Sequence, residues 1–142
     1  MLDKGSKWDN NNGLRSVIPT ALAFGIAGYP FVLPDMIGGN GAGADFTALP
    51  DRELYVRWAE LTAFLPSMQF SFAPWQYDNT TVDIVRKFTH LHETTIGDEL
   101  EAAAKDAVKH GMSKWSTFIN YLWYLDFSYP GRFVPCCETD KN

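Results

Sequence analysis

Apolar side chains recur at helical spacing in three parts of the chain. These parts are residues 14–25, 54–65 and 82–108, where apolar positions three and four residues apart form one face. Glycine often follows the last turn of a helix, so Gly97 divides the third part into two predicted helices and Gly111 ends the second of them. The pattern therefore predicts four helices.

Shorter apolar runs rich in aromatic and β-branched residues lie between these helices. Residues 29–33, 67–77 and 118–126 have this character, which predicts three strands. Helices alternating with strands are typical of a parallel α/β structure. The alternation alone does not distinguish an open sheet from a barrel. The chain has 142 residues, whereas a complete (β/α)8 barrel typically needs about 250. We therefore expect at most part of a barrel.

Composition indicates a globular protein and argues against nucleic acid as a partner. Hydrophobic residues make up 46% of the chain and charged residues 20%, and the net charge of −5 comes with no basic cluster. The adjacent Cys136 and Cys137 have poor geometry for a mutual disulfide and no metal-ligand spacing. The apolar residues 17–33 are interrupted by Pro19 and Pro30, and a membrane-spanning helix needs about 20 residues. A helix followed by a strand is expected there, with no membrane span.

A single carboxylate follows the first predicted strand. Asp35 comes directly after the apolar run and shortly before Gly38 and Gly39, whose backbones can adopt positive φ angles and approach a ligand closely. A carboxylate that ends a barrel strand faces the cleft where active sites are built. The residues alone also fit a simpler role, in which Asp35 caps the turn after the strand.

Four segments together resemble the catalytic barrel of the family 31 glycoside hydrolases, which are retaining α-glycosidases. The resemblance covers most of the chain between Trp8 and Asp126. The segments are WDNNNGL at 8–14, PFVLPDMIGGN at 30–40, ELYVRWAELTAFLPSMQFSFAPWQYD at 53–78 and LWYLD at 122–126.

The resemblance implies a partial (β/α)8 TIM barrel. Residues 1–126 are expected to form about the last three β/α units, and residues 127–142 a divergent irregular tail. The implied substrate is a carbohydrate with an α-linked sugar, and the family uses no cofactor and no metal. It also implies an earlier half of the barrel as a partner, and a location in the endomembrane lumen, anchored to a membrane or outside the cell.

The resemblance assigns the acid/base role to Asp35. A retaining glycosidase uses two carboxylates about 5 to 5.5 Å apart, one as nucleophile and one as acid and then base. The family nucleophile lies on an earlier barrel strand, upstream of these residues. Asp45, Asp51 and Glu53 are therefore expected to be loop and helix-start residues.

Four further side chains are candidate substrate contacts by the resemblance. Trp8 matches a tryptophan that shapes the sugar pocket, and Asn11 stands where the family usually has an aspartate, although asparagines 10–12 also fit a helix cap. Gln69, with Ser71, occupies a strand where most members have an arginine and a histidine, and it can hydrogen-bond without charge. Trp75 fits either stacking on a sugar or covering the barrel mouth.

Other chemically notable residues have simpler interpretations. His90 and His92 point to different sides of a helix and have no third ligand at matching spacing, so no metal site is expected. Residues 79–81, Asn-Thr-Thr, match an N-glycosylation sequon, which matters only for a chain that reaches the lumen. Three tryptophans are expected to pack in the interior: Trp58, Trp115 and Trp123.

Two functions from different classes therefore remain at this point. The first is a glycoside hydrolase for which this chain supplies the acid/base. The second is a catalytically inactive fragment with a carbohydrate- or protein-binding role. The isolated chain is expected to be inactive in either case, because the nucleophile is not part of it.

Overall fold

A computed structural model of the chain describes residues 4–29, 31–41 and 48–110. The described residues form four α-helices, two 3₁₀ turns and one π turn. In chain order these are a 3₁₀ turn (Leu14–Ser16), α1 (Val17–Ile26), α2 (Arg52–Thr62), a 3₁₀ turn (Pro74–Gln76), α3 (Asn79–Leu91), a π turn (His92–Ile96) and α4 (Gly97–His110). The helices predicted from apolar spacing are thereby confirmed, with ends shifted by a few residues.

Side-chain caps fix the starts of two helices. The carboxylate of Asp51 accepts a hydrogen bond from the Leu54 amide at 3.1 Å, and α2 begins at the next residue. The carboxylate of Asp78 does the same for the Thr81 amide at 2.6 Å, at the start of α3. Each cap satisfies a backbone N–H that has no partner within the helix. Asp51 is thus a helix-start residue, as predicted.

The predicted helix break at Gly97 is wrong. The π turn joins α3 to α4, and Gly97 has ordinary helical angles, φ −55° and ψ −45°. The ring Nδ1 of His92 lies 2.8 Å from the carbonyl oxygen of Ala63, which ties the wider turn to the end of α2. The glycine therefore accompanies a widened turn. The predicted cap at Gly111 lies outside the described residues.

Among the described residues, one β-bridge involves a predicted strand, residues 67–77, and its partner Ile37 lies beyond the predicted strand at residues 29–33. Ile37 and Phe70 form an isolated parallel bridge, with the Ile37 amide donating to the Gln69 carbonyl at 2.8 Å. A strand requires a ladder of such bonds to a neighbour. Tyr29 and Phe31 are 61% and 57% exposed, although the ring of Tyr29 meets the edge of the Phe24 ring at a centroid distance of 5.7 Å.

The three-strand partial barrel therefore remains a prediction. The second predicted strand, residues 67–77, ends in the 3₁₀ turn that begins at Pro74. Residues 118–126, predicted as the third strand, and the tail of residues 127–142 lie outside the described residues.

Helix α1 ends at Ile26, and residues 27–29 and 31–33 are not helical. Within the described ranges, no helix is long and apolar enough to span a membrane.

Helix α2 lies at the centre of the hydrophobic core. Trp58 and Tyr55 are fully buried, which confirms the predicted packing role of Trp58. The other predicted interior tryptophans, Trp115 and Trp123, lie outside the described residues. The core cluster combines the first 3₁₀ turn, α1, the loop after Asp35, α2, the segment that follows α2, and α3: Leu14, Val17, Ala21, Ile37, Leu54, Tyr55, Trp58, Ala59, Leu65, Phe72 and Val85.

Candidate functional site

Asp35 is a fully buried carboxylate on a left-handed backbone. Its φ angle is +87°, and it is the one non-glycine residue with positive φ among those described. The amide of Met36 donates to its Oδ1 at 2.7 Å, and the amide of Lys4 donates to its Oδ2. Left-handed conformations of this kind cost about 1 to 3 kcal/mol and cluster at functional sites. Asp35 is therefore held in a specific position by its backbone and by two donors.

The glycine pair after Asp35 lets the loop pack closely on both sides. Gly38 and Gly39 have φ angles of +93° and +80°. A Cβ atom at position 39 would lie 2.9 Å from the backbone nitrogen of Ser6, and one at position 38 would lie 3.0 Å from the ring of Tyr55. These distances are shorter than van der Waals contact, so the loop depends on glycine at both positions.

Two other chain segments flank this loop. On one side the Asn40 amide donates to the Lys4 carbonyl at 2.9 Å, and the Ser6 amide donates to the Gly41 carbonyl at 3.3 Å. On the other side lies the parallel bridge to Phe70 described above. The loop that carries Asp35 thus connects residues 4–6 to residues 69–70. The contribution of Lys4 was not foreseen from the sequence, because a backbone donor 31 positions away has no side-chain signal.

Gln69 is a candidate substrate contact whose backbone bonds directly to the loop after Asp35. Its backbone carbonyl oxygen accepts a hydrogen bond from the Ile37 amide, and Gln69 is partly buried. Ser71, on the same predicted strand, is exposed. Alternate residues of an extended segment point to the same side, which keeps Gln69 and Ser71 together as candidates.

Trp75 lies in a separate open cleft between the 3₁₀ turn and α3. The cleft has a volume of about 490 Å³, and the Trp75 side chain is 75% exposed. Asp35 is not among the described residues that line the cleft. The structure therefore places Trp75 and Asp35 in different surroundings. The residues that line the cleft include Phe70, Trp75, Val82, Val85 and Arg86.

Trp8 and Asn11 belong to an exposed turn next to residues 4–6. The Asp9 carboxylate accepts the amides of Asn12 and Asn11 at 2.8 and 2.7 Å, and these two bonds hold the pKa of Asp9 below its ordinary value. Trp8 is 37% exposed. The turn connects back through the Gly5 amide, which donates to the Asn12 carbonyl at 3.1 Å. Trp8 and Asn11 are thereby near the segment that contacts the Asp35 loop.

The alternative that an asparagine caps the first helix is wrong. The cap of the first 3₁₀ turn is Gly13, and that of α1 is Ser16. The Ser16 hydroxyl donates to the Gly13 carbonyl at 2.7 Å. The asparagines are positioned instead by the Asp9 side chain, because an aspartate readily hydrogen-bonds amides two and three residues ahead.

Two tyrosines in ring contact, Tyr55 and Tyr77, lie next to the Asp35 loop, since the Tyr55 ring packs at Gly38, and they were not singled out from the sequence. The rings of Tyr55 and Tyr77 have centroids 4.7 Å apart. The Tyr55 hydroxyl donates to the Phe72 carbonyl at 2.6 Å, and the Tyr77 hydroxyl donates to the Pro50 carbonyl at 2.9 Å. Burial, then the Asp51 charge, raises the pKa of Tyr77 to about 12, and burial, then Tyr77, raises the pKa of Tyr55.

The described residues contain no group of three or more His, Cys, Asp or Glu side chains arranged to hold a metal ion. His92 contacts the Ala63 carbonyl, and His90 is exposed.

A buried carboxylate on a glycine-rich loop, beside a segment that runs parallel to it, is typical of an α/β-barrel site. Comparison with known proteins identifies the family. A family model described as "Glycosyl hydrolases family 31 TIM-barrel domain" matches residues 3–96. The chain belongs to glycosyl hydrolase family 31, and the family predicted from its motifs is confirmed.

Three relatives show how far the similarity extends. The chain is 42% identical to the myogenesis-regulating glycosidase of Mus musculus over 88% of its own length. It is 34% identical to the SITS-binding protein of Tetronarce californica over 94% of its length. It is 28% identical to the sulfoquinovosidase of Escherichia coli (strain K12) over 75% of its length. These alignments cover 18%, 18% and 16% of the relatives, so the chain spans less than a fifth of their length.

Proposed function

We propose that the full-length protein is a glycoside hydrolase and that this chain forms part of its active site. Family membership supports the proposal, as do the names of two relatives, a glycosidase and a sulfoquinovosidase. The observation that carries it is Asp35: a buried carboxylate with φ +87°, directed by two backbone amides and followed by two tightly packed glycines. The barrel of which these residues would form the last three units remains part of the proposal.

The proposed reaction cleaves the O-glycosidic bond of an α-linked sugar with retention. A nucleophilic carboxylate from an earlier part of the barrel attacks the anomeric carbon, while Asp35 protonates the departing oxygen. Asp35 then removes a proton from the water that releases the sugar. The chain by itself is therefore proposed to be inactive. The reaction as written needs no metal or cofactor.

The substrate is held by four side chains in this proposal. Gln69 offers a neutral carboxamide that both donates and accepts hydrogen bonds with sugar hydroxyls, and Asn11 offers another. Trp8 and Trp75 offer exposed aromatic faces, which suit the apolar face of a sugar ring. Because Trp75 lies in the open cleft, it suits the part of the substrate beyond the cleaved bond.

A second role for Asp35 within the same site is favoured by its two donor contacts. A carboxylate that receives N–H groups on both oxygens is well suited to accept a hydrogen bond from a sugar hydroxyl without transferring a proton. The two roles differ in how Asp35→Asn affects substrates. Loss of a proton donor affects poor leaving groups most, whereas loss of a hydroxyl contact affects poor and activated leaving groups equally.

The activity is tested by assaying the full-length protein with matched α- and β-linked nitrophenyl glycosides of glucose and galactose. Proton NMR of the first product gives its anomeric configuration. Hydrolysis of an α-glycoside that releases the α-anomer is expected. Release of the β-anomer would contradict the retaining mechanism. Binding of sugar without hydrolysis of any glycoside would instead support a non-catalytic binding role.

A further inference from the structure

We propose that Asn79 is an N-glycan acceptor in the full-length protein and that the glycan is attached before α3 packs against α2. The sequence of 142 residues contains one Asn-x-Ser/Thr sequon with a residue other than proline in the middle, at residues 79–81. The proposal does not depend on the hydrolase activity. It rests on how the three residues of this sequon are placed.

The acceptor side chain is available on the surface. Asn79 is the first residue of α3, and both Asn79 and Thr80 are exposed. Within the described part of the chain, the Asn79 carboxamide makes no hydrogen bond that a glycan would break. A sugar attached to Asn79 would therefore project into solvent without disturbing the start of the helix.

The hydroxyl of Thr81, the third residue of the sequon, is buried in the folded chain. Thr81 is fully buried, and its Oγ1 accepts a hydrogen bond from the Arg52 guanidinium at 2.9 Å. The same Nε atom of Arg52 lies 2.8 Å from the Asp78 carboxylate, whose other oxygen accepts the Thr81 amide at 2.6 Å. These contacts join the first turns of α2 and α3. A glycosyltransferase that must contact the Thr81 hydroxyl has no access to it once they have formed.

The transfer uses a lipid-pyrophosphate-linked oligosaccharide as its donor. The amide nitrogen of Asn79 forms a bond to C1 of the first sugar while the bond from C1 to the pyrophosphate oxygen breaks. The lipid pyrophosphate leaves, and the nitrogen loses one proton to a base of the transferase. Because Thr81 has to be accessible during this step, the transfer precedes the packing of α3 on α2. The glycan then stays outside the folded helix pair.

The site is tested by expressing the full-length protein in cultured animal cells and analysing the peptide that contains position 79 by mass spectrometry. The wild type is compared with Asn79→Gln and with a matched control, Asn10→Gln, which alters an exposed asparagine outside any sequon. Glycan at position 79 is expected in the wild type and the control, with complete loss in Asn79→Gln. An unmodified Asn79 in the wild type overturns the proposal.

The order of events is tested with purified components. Unglycosylated full-length protein from bacteria and a synthetic peptide of residues 73–88 are each incubated with oligosaccharyltransferase and its lipid-linked donor. The peptide should be glycosylated and the folded protein should not, because only the peptide exposes the Thr81 hydroxyl. Arg52→Gln, which removes the guanidinium from Thr81, should partly restore transfer to the folded protein. Equal transfer to peptide and folded wild type overturns the proposed order.

Discussion

Gly39 and Gly28 both have positive φ angles, yet their surroundings differ. A Cβ atom at position 39 would lie 2.9 Å from backbone atoms of Gly5 and Ser6, whereas one at position 28 meets nothing within 4 Å. Gly28→Ala should therefore cost only the left-handed backbone penalty of about 1 to 2 kcal/mol. Gly39→Ala should cost about 1 to 3 kcal/mol more, because it overpacks the Asp35 loop.

Urea unfolding of the full-length protein and both variants measures this difference. The pair is matched, because both substitutions add one methyl group to a left-handed glycine. Equal midpoints for the two variants would show that the Asp35 loop does not press against residues 5 and 6.

The burial of Tyr77 beside Tyr55 leads us to expect that the folded protein loses stability at high pH. The folded protein holds the pKa of Tyr77 at about 12, above its ordinary value of 10.0, mainly by burial. A raised pKa means that the stabilisation is complete below pH 10 and is lost as the pH rises towards about 12. Unfolding midpoints should therefore fall more steeply over this range in the wild type than in Tyr77→Phe. If the unfolding midpoints of the wild type and Tyr77→Phe fell equally steeply with pH, the raised pKa of Tyr77 would be contradicted.

At the scale of single residues, the sequence indicated the candidates but not their contacts. Asp35 was recognisable because it stands between an apolar run and a glycine pair. Its Lys4 donor was not, since a backbone amide looks the same at every position. Asp9 was overlooked because the neighbouring asparagines suggested a cap, which only the structure assigns to Gly13.

At the scale of elements, the structure of the junction between α3 and α4 predicts that Gly97 can be replaced by a helix-favouring residue, whereas the sequence predicted a helix break there. Gly97 is helical, and the nearest atom to an added Cβ is the His92 carbonyl oxygen, at an ordinary contact distance of 3.5 Å. Gly97→Ala should stabilise the helix by about 0.5 to 1 kcal/mol, because alanine loses less backbone entropy on folding. A lower thermal unfolding midpoint for Gly97→Ala than for the wild type would support a helix break at Gly97 instead.

The cap of α3 predicts an order of stability among three side chains. Asp78 accepts the Thr81 amide and contacts Arg52, and these interactions, led by the amide bond, lower its pKa. Asp78→Asn keeps a capping oxygen without the charge, and Asp78→Ala removes both. Unfolding midpoints at pH 7 should therefore decrease in the order Asp, Asn, Ala.

The stabilisation that Asp78 gives to the start of α3 should decrease in acid. Because the folded-state pKa of Asp78 lies below the ordinary value of 3.8, its contribution is present above that value and lost as the pH falls through the lowered one. The advantage of the wild type over Asp78→Asn should shrink accordingly in acid. An advantage that does not change with pH would contradict a charged cap.

Helices were predictable from sequence because their signals are local. Apolar spacing and acidic caps lie within a few residues of the bonds they favour, as at Asp51 and Asp78. Strands need distant partners, and the one described bridge joins Phe70, in the run at residues 67–77, to Ile37, which lies beyond the run at residues 29–33. The π turn before Gly97 is joined to the end of α2 by the His92 contact with Ala63, 29 residues away, which no local pattern contains.

For the whole molecule, the chain spans less than a fifth of the length of these relatives, 18% in the case of the mouse protein. A retaining glycosidase needs two carboxylates, and only one is proposed to lie in these residues. The isolated chain of 142 residues is therefore expected to hydrolyse no glycoside, including activated α-glucosides and α-galactosides. Turnover by the isolated chain that Asp35→Asn abolishes would show that both carboxylates are present in it.

The central claim is that Asp35 belongs to the catalytic site of a glycoside hydrolase. The most direct measurement compares kcat/KM of the full-length wild type, Asp35→Asn and the control Asp83→Asn, which alters an exposed carboxylate paired with Arg86. Each is assayed on a natural glycoside and on an activated nitrophenyl glycoside. Asp35→Asn should lose about 10²- to 10⁴-fold on the natural glycoside and less on the activated one, while Asp83→Asn stays unchanged. Full activity of Asp35→Asn on both substrates would contradict the account.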